Sequence, residues 1–227
     1  LRIPMPKKKL RFLFLLSTMG LGLLLIFAIL IALQLVPNPN SGHRVKVSTV
    51  QLRVFYESLC PDSTSFLRTQ LEPLWPALLQ FVNVSLVPFG KASWKQVDDD
   101  DYVFHCQHGK LECTLNQAMS CAVELIRPGR LLLPLISCLQ QSLHADKLHQ
   151  CANAHAPVDV VDELIQCSNN LYGRRLLYQM GLQTKSQDPP IYYIPWIEIN
   201  GQRNVDAEHN LKQELCKAFN QSTCPLD

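Results

Sequence analysis

All nine cysteines of this 227-residue chain follow a long apolar segment. Lys7, Lys8, Lys9 and Arg11 precede an uncharged run from Phe12 to Leu33. That run exceeds the ~7–15 residues of a signal-peptide core and reaches the ~20 needed to span a bilayer. Basic residues on its N-terminal side predict that this flank stays cytoplasmic and the remainder is translocated, into a compartment where disulfides persist. An uncleaved signal anchor of type II topology is the first reading; a cleaved signal is the second, with Ala28 and Ala32 as weak cleavage candidates. Residues 1–36 are therefore expected to be signal anchor or signal peptide. Residues 37–47, opening with Pro37-Asn38-Pro39-Asn40-Ser41-Gly42, read as a linker. Residues 48–227 are long enough for one domain with a sizeable core.

If Cys60 is set aside, Cys106, Cys113, Cys121, Cys138, Cys151, Cys167, Cys216 and Cys224 remain, an even number that fits structural disulfides. Eight cysteines allow roughly a hundred connectivities, and Cys216 with Cys224, closing a short loop, is the first pair to expect. Sequons at Asn83 and Asn220 fit the same compartment. Net charge is only +2, with no basic stripe interleaved with aromatics, so nucleic acid is not an expected partner.

Cys60 has a setting of its own. Val50, Leu52, Val54 and Tyr56 alternate as in a buried strand, and Phe66, Leu67, Leu71, Leu74, Trp75, Leu78 and Leu79 follow at helical spacing. Cys60-Pro61-Asp62-Ser63 thus falls at a strand-to-helix junction, where free N–H groups and the helix dipole favour a thiolate. Ser63 stands where a C-x-x-C redox motif has its second cysteine. It has a plainer role open to it, since Asp62 or Ser63 is a suitable helix cap. An inert buried thiol is the corresponding plain reading of Cys60.

Pro73 and Pro76 predict a helix bent or divided near 72–76. Phe81 to Pro88 reads as a second strand, and strand–helix–strand implies a parallel crossover. Gly90 to His105 reads as a polar loop. Its Asp98-Asp99-Asp100-Asp101 run lacks the alternation, central Gly and distal Glu of an EF-hand, so a solvated charge run is expected. Leu111 to Met180 reads as several short helices stapled by disulfides. Ile191 to Ile199 is a strand signal interrupted by Pro195; Asn200-Gly201 is a hairpin turn. A return strand is expected at Asn204–Val205, and a final amphipathic helix at Glu208–Phe219.

This order of elements resembles a thioredoxin-like α/β fold with a disulfide-stapled helical insertion at about 106–182, similar to those of bacterial periplasmic oxidases. The resemblance makes Ile194-Pro195 the cis-proline loop, lying against the reactive sulfur. A second likeness is more specific. Cys106-Gln107-His108-Gly109-Lys110-Leu111-Glu112-Cys113-Thr114-Leu115-Asn116, with Cys121, is similar to the C-Q-H-G-x-x-E-C-x-x-N-x-x-x-x-C signature of the gamma-interferon-inducible lysosomal thiol reductase family. Phe55 to Cys60, Asn83 to Gly90 and Ile194-Pro195-Trp196 also resemble family segments. The likeness implies a soluble, glycosylated, disulfide-bonded reductase of endosomes and lysosomes. Its partners are disulfide-bonded or thiol-bearing proteins, and its reductant is an external small thiol rather than a bound cofactor. Two departures matter: Ser63 in place of the second cysteine, and the long apolar segment.

Other chemistries fit less well. His105 and His108 lie near Cys106, Cys113 and Cys121, but the cysteine spacings do not suit zinc, and no metal is expected. No G-x-S-x-G is present for a serine hydrolase. The expected activity is reduction or isomerisation of protein disulfides through the nucleophile Cys60, with release by external thiol, since a hydroxyl at Ser63 cannot resolve a mixed disulfide. The alternative is a weak or inactive relative that serves as a lumenal or surface binding protein.

Overall fold

The computed structural model describes residues 49–127, 129–140, 146–219 and 224–226. The apolar run, the linker and the Asn220 sequon lie outside them. Among the described residues no helix is long and apolar enough to cross a membrane.

The first strand, β1 (Val50–Tyr56), pairs in parallel with β2 (Val82–Pro88), from Val50 opposite Val82 to Tyr56 opposite Pro88. The crossover between them is divided, as the prolines predict. Helix α1 (Pro61–Phe66) passes into a π turn over Leu67–Leu71 and a 3-10 turn over Glu72–Leu74, and α2 (Trp75–Phe81) completes it. Pro73 has no N–H to donate, which opens the i→i−4 ladder there; Pro76 sits in the first turn of α2, where no donor is needed. Leu67, Leu71, Trp75 and Leu78 from this crossover are buried with Leu52, Val54 and Val84 from the strands. Each such side chain contributes about 1.5–3 kcal/mol relative to exposure.

On its other edge β1 pairs antiparallel with β5 (Trp196–Ile199), and β5 with the short β6 (Gln202–Arg203), giving the order β2-β1-β5-β6. Asn200 and Gly201 take φ of 52° and 76°. Two positive values make a primed turn, whose twist matches that of the strands. A two-residue turn fixes the register, so the return strand is Gln202–Arg203, opposite Ile199 and Glu198, and not Asn204–Val205. Asn204 instead starts the last helix, α8 (Ala207–Ala218): its side-chain oxygen accepts the Ala207 N–H.

The segment from Gly90 to His105 is not a loop. It holds a separate antiparallel hairpin, β3 (Ser93–Asp98) and β4 (Asp101–His105). Most of its residues are exposed, which hides the alternation in the sequence. What holds it is a set of aromatic contacts to a later helix. Tyr102 stacks on Tyr178 at 3.9 Å, and Trp94 meets Tyr178 edge-on. Within the aspartate run, Asp101 accepts two hydrogen bonds from Arg174, at 2.6 and 3.0 Å.

Between β4 and β5 lie α3 (Lys110–Ile126), α4 (Leu132–Gln140), α5 (Lys147–His155), α6 (Val161–Cys167) and α7 (Leu171–Lys185). Disulfides join Cys121 to Cys167 and Cys138 to Cys151, tying α3 to α6 and α4 to α5. Cys106–Cys113 closes the start of α3, and Cys216–Cys224 the C-terminal loop.

Candidate active site

Tyr56 ends β1, and the chain turns through Glu57, Ser58 and Leu59 to Cys60, the N-cap of α1. Leu59 has φ of 62°. A β-carbon in that region costs about 1–2 kcal/mol, so the backbone immediately before Cys60 is held against its preference by what surrounds it. Cys60 is the free cysteine among the described residues, and only 8% of its surface is exposed. Pro61 occupies the first turn. Neither Asp62 nor Ser63 caps the helix through its side chain. Cys60 takes the cap position, with extended backbone, and its carbonyl accepts from the Thr64 N–H and hydroxyl. Ser63 is fully buried one turn on, and its hydroxyl has no hydrogen-bond partner.

Across from α1 lies the segment before β5. The Ile194–Pro195 peptide is cis, as is Asp188–Pro189. Pro195, Ile194 and Tyr193 share a cleft of about 300 Å³ with Asp62, Ser65 and Phe66 of α1 and with Glu208 and His209. A wider cleft of about 640 Å³ adjoins it at Ser65 and Thr69 and runs past Leu59, Pro61, Thr64, Arg68 and Gln140. A further cleft of about 790 Å³ lies near Trp75, Leu133 and His155, away from Pro195; Cys60 and Ser63 line none of the three.

The floor beside Pro195 is tied together by Arg203 and Glu208. The Arg203 guanidinium lies 3.7 Å from the Trp196 ring centroid and 4.5 Å from that of Tyr193. It donates to Glu208 at 3.1 Å, and the Tyr193 hydroxyl donates to the same carboxylate. Burial raises the Glu208 pKa, and Arg203 opposes that rise. Cation–π contacts and a shared carboxylate thus fix the aromatic segment flanking Pro195.

The start of α3 supports the Cys60 loop from below. The Ser58 N–H donates to Asn116 Oδ1 at 2.8 Å, and the Ser58 hydroxyl donates to the Glu112 carbonyl at 3.0 Å. Gln140 Nε2 donates to the Glu57 carbonyl at 2.8 Å. The Glu57 side chain turns inward, with Oε2 accepting the Lys91 N–H at 2.7 Å. Gly90, at φ 59°, makes room for it: a β-carbon there would lie 2.2 Å from Glu57 Oε2. Burial raises the Glu57 pKa; the neighbouring Glu112 adds to that, and the Lys91 amide works against it. His108 contacts Glu112 directly and lies 3.8 Å from Glu57.

Three polar members of the 106–121 signature, His108, Glu112 and Asn116, therefore converge on the loop that carries Cys60. Glu57, Ser58 and Gln140 belong to the same constellation. Sequence reasoning singled out the signature but not what it touches, because its partners lie more than fifty residues away. The sulfurs weighed as zinc ligands are bonded to one another and to Cys167. One His and carboxylate group among the described residues has spacing suited to a metal: Glu57, His108 and Glu112. Asn83 is exposed, and its amide donates to Gln51.

Residues 51–170 match the family described as gamma interferon inducible lysosomal thiol reductase. The chain belongs to this family. It is 34% identical over 173 residues to the gamma-interferon-inducible lysosomal thiol reductase of Carassius auratus, covering 76% of this chain and 68% of that one. It is 36% identical over 186 residues to a GILT-like protein of Caenorhabditis elegans, covering 80% of this chain but spanning only 57% of the relative's length. Reduced DsbA from Mycobacterium tuberculosis superposes with a TM-score of 0.53 at 12% identity, over 85% of this chain and 91% of that one. Reduced DsbG from the same organism gives 0.52 at 12%, over 78% and 81%. These two show the fold: thioredoxin-like, with the α3–α7 helices set between β4 and β5. The family, by its description, is one of thiol reductases; the two solved structures speak for the fold alone.

Proposed function

We propose that this chain reduces or isomerises disulfides in other proteins through Cys60 alone. The observation that carries this is the position of Cys60: unbridged, at the β1–α1 junction, as the N-cap of a helix whose first turns share a cleft with Pro195. In the first step the Cys60 thiolate attacks one sulfur of a substrate disulfide. The substrate S–S bond breaks, a Cys60–substrate disulfide forms, and the other substrate sulfur leaves as thiolate and takes a proton. In the second step an external thiolate attacks the mixed disulfide and displaces Cys60. A second external thiol then completes reduction of the substrate, so that two small thiols become one disulfide. Alternatively a substrate thiol performs the displacement, which is isomerisation. The Ser63 hydroxyl takes no part as nucleophile. The chemistry needs no bound cofactor.

The compartment belongs to the same proposal. Four disulfides fit an oxidising lumen, and we place the protein in the secretory and endolysosomal system. Asn83 and Asn220 carry glycans, and the apolar N-terminal segment serves as signal or anchor to the domain that follows. A shift in size on glycosidase treatment, and the mature N-terminus, test those assignments.

A second reading has one observation in its favour. The buried Ser63 hydroxyl is all that lies where a resolving thiol is needed. A mixed disulfide at Cys60 is then long-lived, and the protein holds partners covalently instead of turning them over. Insulin reduction at acidic pH with excess small thiol separates the two. Turnover well above that of Cys60→Ala supports the reductase; equal rates refute it. A strong gain in Ser63→Cys identifies resolution as the missing step.

A further inference from the structure

We propose that Glu57, His108 and Glu112 form a binding site for a divalent cation of the zinc class, built into the base of the Cys60 loop. Their ligating atoms, one from each residue, lie within 4.8 Å of one another. Ligands of one tetrahedral ion at about 2.0–2.2 Å stand about 3.4 Å apart, so a pair at that limit closes by roughly 1.4 Å through side-chain rotation as the ion enters. Glu57 and Glu112 are fully buried, and Oε1 of each has no hydrogen-bond partner. Two carboxylates in a dry interior are costly unless they are paired or coordinate a metal. Among the described residues, the side chain in ion-pair range of both is the imidazole of His108. It cannot balance two carboxylates, whereas a divalent ion can.

The surroundings have the form of a metal site. Two carboxylate oxygens and one imidazole nitrogen suit zinc and its first-row neighbours. Three protein ligands leave a fourth position open, as at zinc sites that exchange a water. His108 is the exposed member and so marks the way in. Each ligand is also braced. Glu57 Oε2 holds the Lys91 N–H, a second contact of the kind that orients metal-bound carboxylates. The Glu112 backbone is fixed by Ser58. Cys106–Cys113 closes the segment that carries His108.

The consequence for the protein is positional. An ion here joins the chain three residues before Cys60 to the first turn of α3. It locks together two segments that otherwise meet through single hydrogen bonds.

Calorimetric titration of the full chain with zinc chloride at neutral pH tests the site. A Cys60→Ser background removes the thiol as a competing ligand, and metal analysis follows dialysis. One ion per chain is expected, with a rise in the thermal midpoint. His108→Ala and Glu57→Gln, each confirmed as folded by circular dichroism, are expected to weaken binding at least about tenfold. Absence of stoichiometric uptake overturns the proposal. So does uptake that His108→Ala and Glu57→Gln leave unchanged, which assigns the ion elsewhere. A Glu57→Gln protein that melts higher while wild type takes up no zinc also overturns it, and shows that the two carboxyls share a proton instead. Because the readout is binding in a chain lacking the Cys60 thiol, its outcome is independent of the proposed reductase activity.

Discussion

Asn116→Ala removes the acceptor for the Ser58 N–H, two residues before Cys60. The bond is 2.8 Å long and both residues are fully buried, so no water replaces the lost oxygen. A buried donor left unsatisfied costs about 1–3 kcal/mol. Part of this is returned, because the Asn116 Nδ2 group is itself buried without a partner. A net loss of about 2 kcal/mol is expected. For a domain of this size that is roughly 4–8 °C in melting midpoint. Urea unfolding under non-reducing conditions measures it. The same change loosens the turn that holds Cys60 at 8% exposure, so alkylation of Cys60 by iodoacetamide accelerates severalfold. Ser58→Ala removes the neighbouring bond to the Glu112 carbonyl and costs about 1 kcal/mol. The double variant is expected to depart from additivity by at least about 0.5 kcal/mol, since both bonds anchor one turn. Asn116→Ala within about 0.5 kcal/mol of wild type, with unchanged alkylation, refutes the view that α3 positions the Cys60 loop.

Gly90→Ala drives a β-carbon into the Glu57 side chain and places it at φ 59°; a loss of about 2–4 kcal/mol, read by urea unfolding, is expected. The Cys121–Cys167 bridge spans 46 residues and Cys106–Cys113 only 7, so paired serine replacements should cost about 4 and about 2.5 kcal/mol on loop closure alone. Because Cys121 and Cys167 are buried, mass-mapped alkylation after graded dithiothreitol should find Cys106–Cys113 opened before Cys121–Cys167. Hydrogen bonds from Arg174 hold the Asp101 pKa below its ordinary value. That stabilisation is present above about pH 4 and lost as pH falls through the lowered folded-state value. The stability difference between wild type and Arg174→Ala should therefore be level from about pH 5 to 8 and shrink in acid; a difference unchanged at low pH counts against the pairing.

Much of the fold is legible in the chain because local periodicity and burial agree. The alternation through Val50, Leu52 and Val54, the helical spacing after Cys60 and the Asn200-Gly201 turn are each a local signal with one mechanical outcome. The β3–β4 hairpin fails that test. Lys95, Gln96, Val97 and Asp98 face water, and the strands are held by Tyr178, some eighty residues away in sequence. The face of α3 that supports Cys60 was obscured for a related reason: Glu112, Asn116 and Ser120 are polar residues at buried positions, and a pattern of apolar residues passes over them. Cys60 itself was readable from strand end and helix start. Ser63 as a cap was not the outcome, because the backbone enters the helix one turn earlier, at Cys60.

The placement of the four bridges has a mechanical corollary. Three lie between Cys106 and Cys167, and the fourth joins Cys216 to Cys224. No described bridge reaches back across Cys106. If the chain is pulled from its N-terminal end, β1 is drawn first, from between its two sheet partners. Everything from Thr49 to Cys106 then plays out, roughly 190 Å of contour at full extension, before tension meets a covalent staple. Cys60 lies on this unreinforced length. Under load the domain yields first in the part that holds the reactive sulfur, while the helical part keeps its shape.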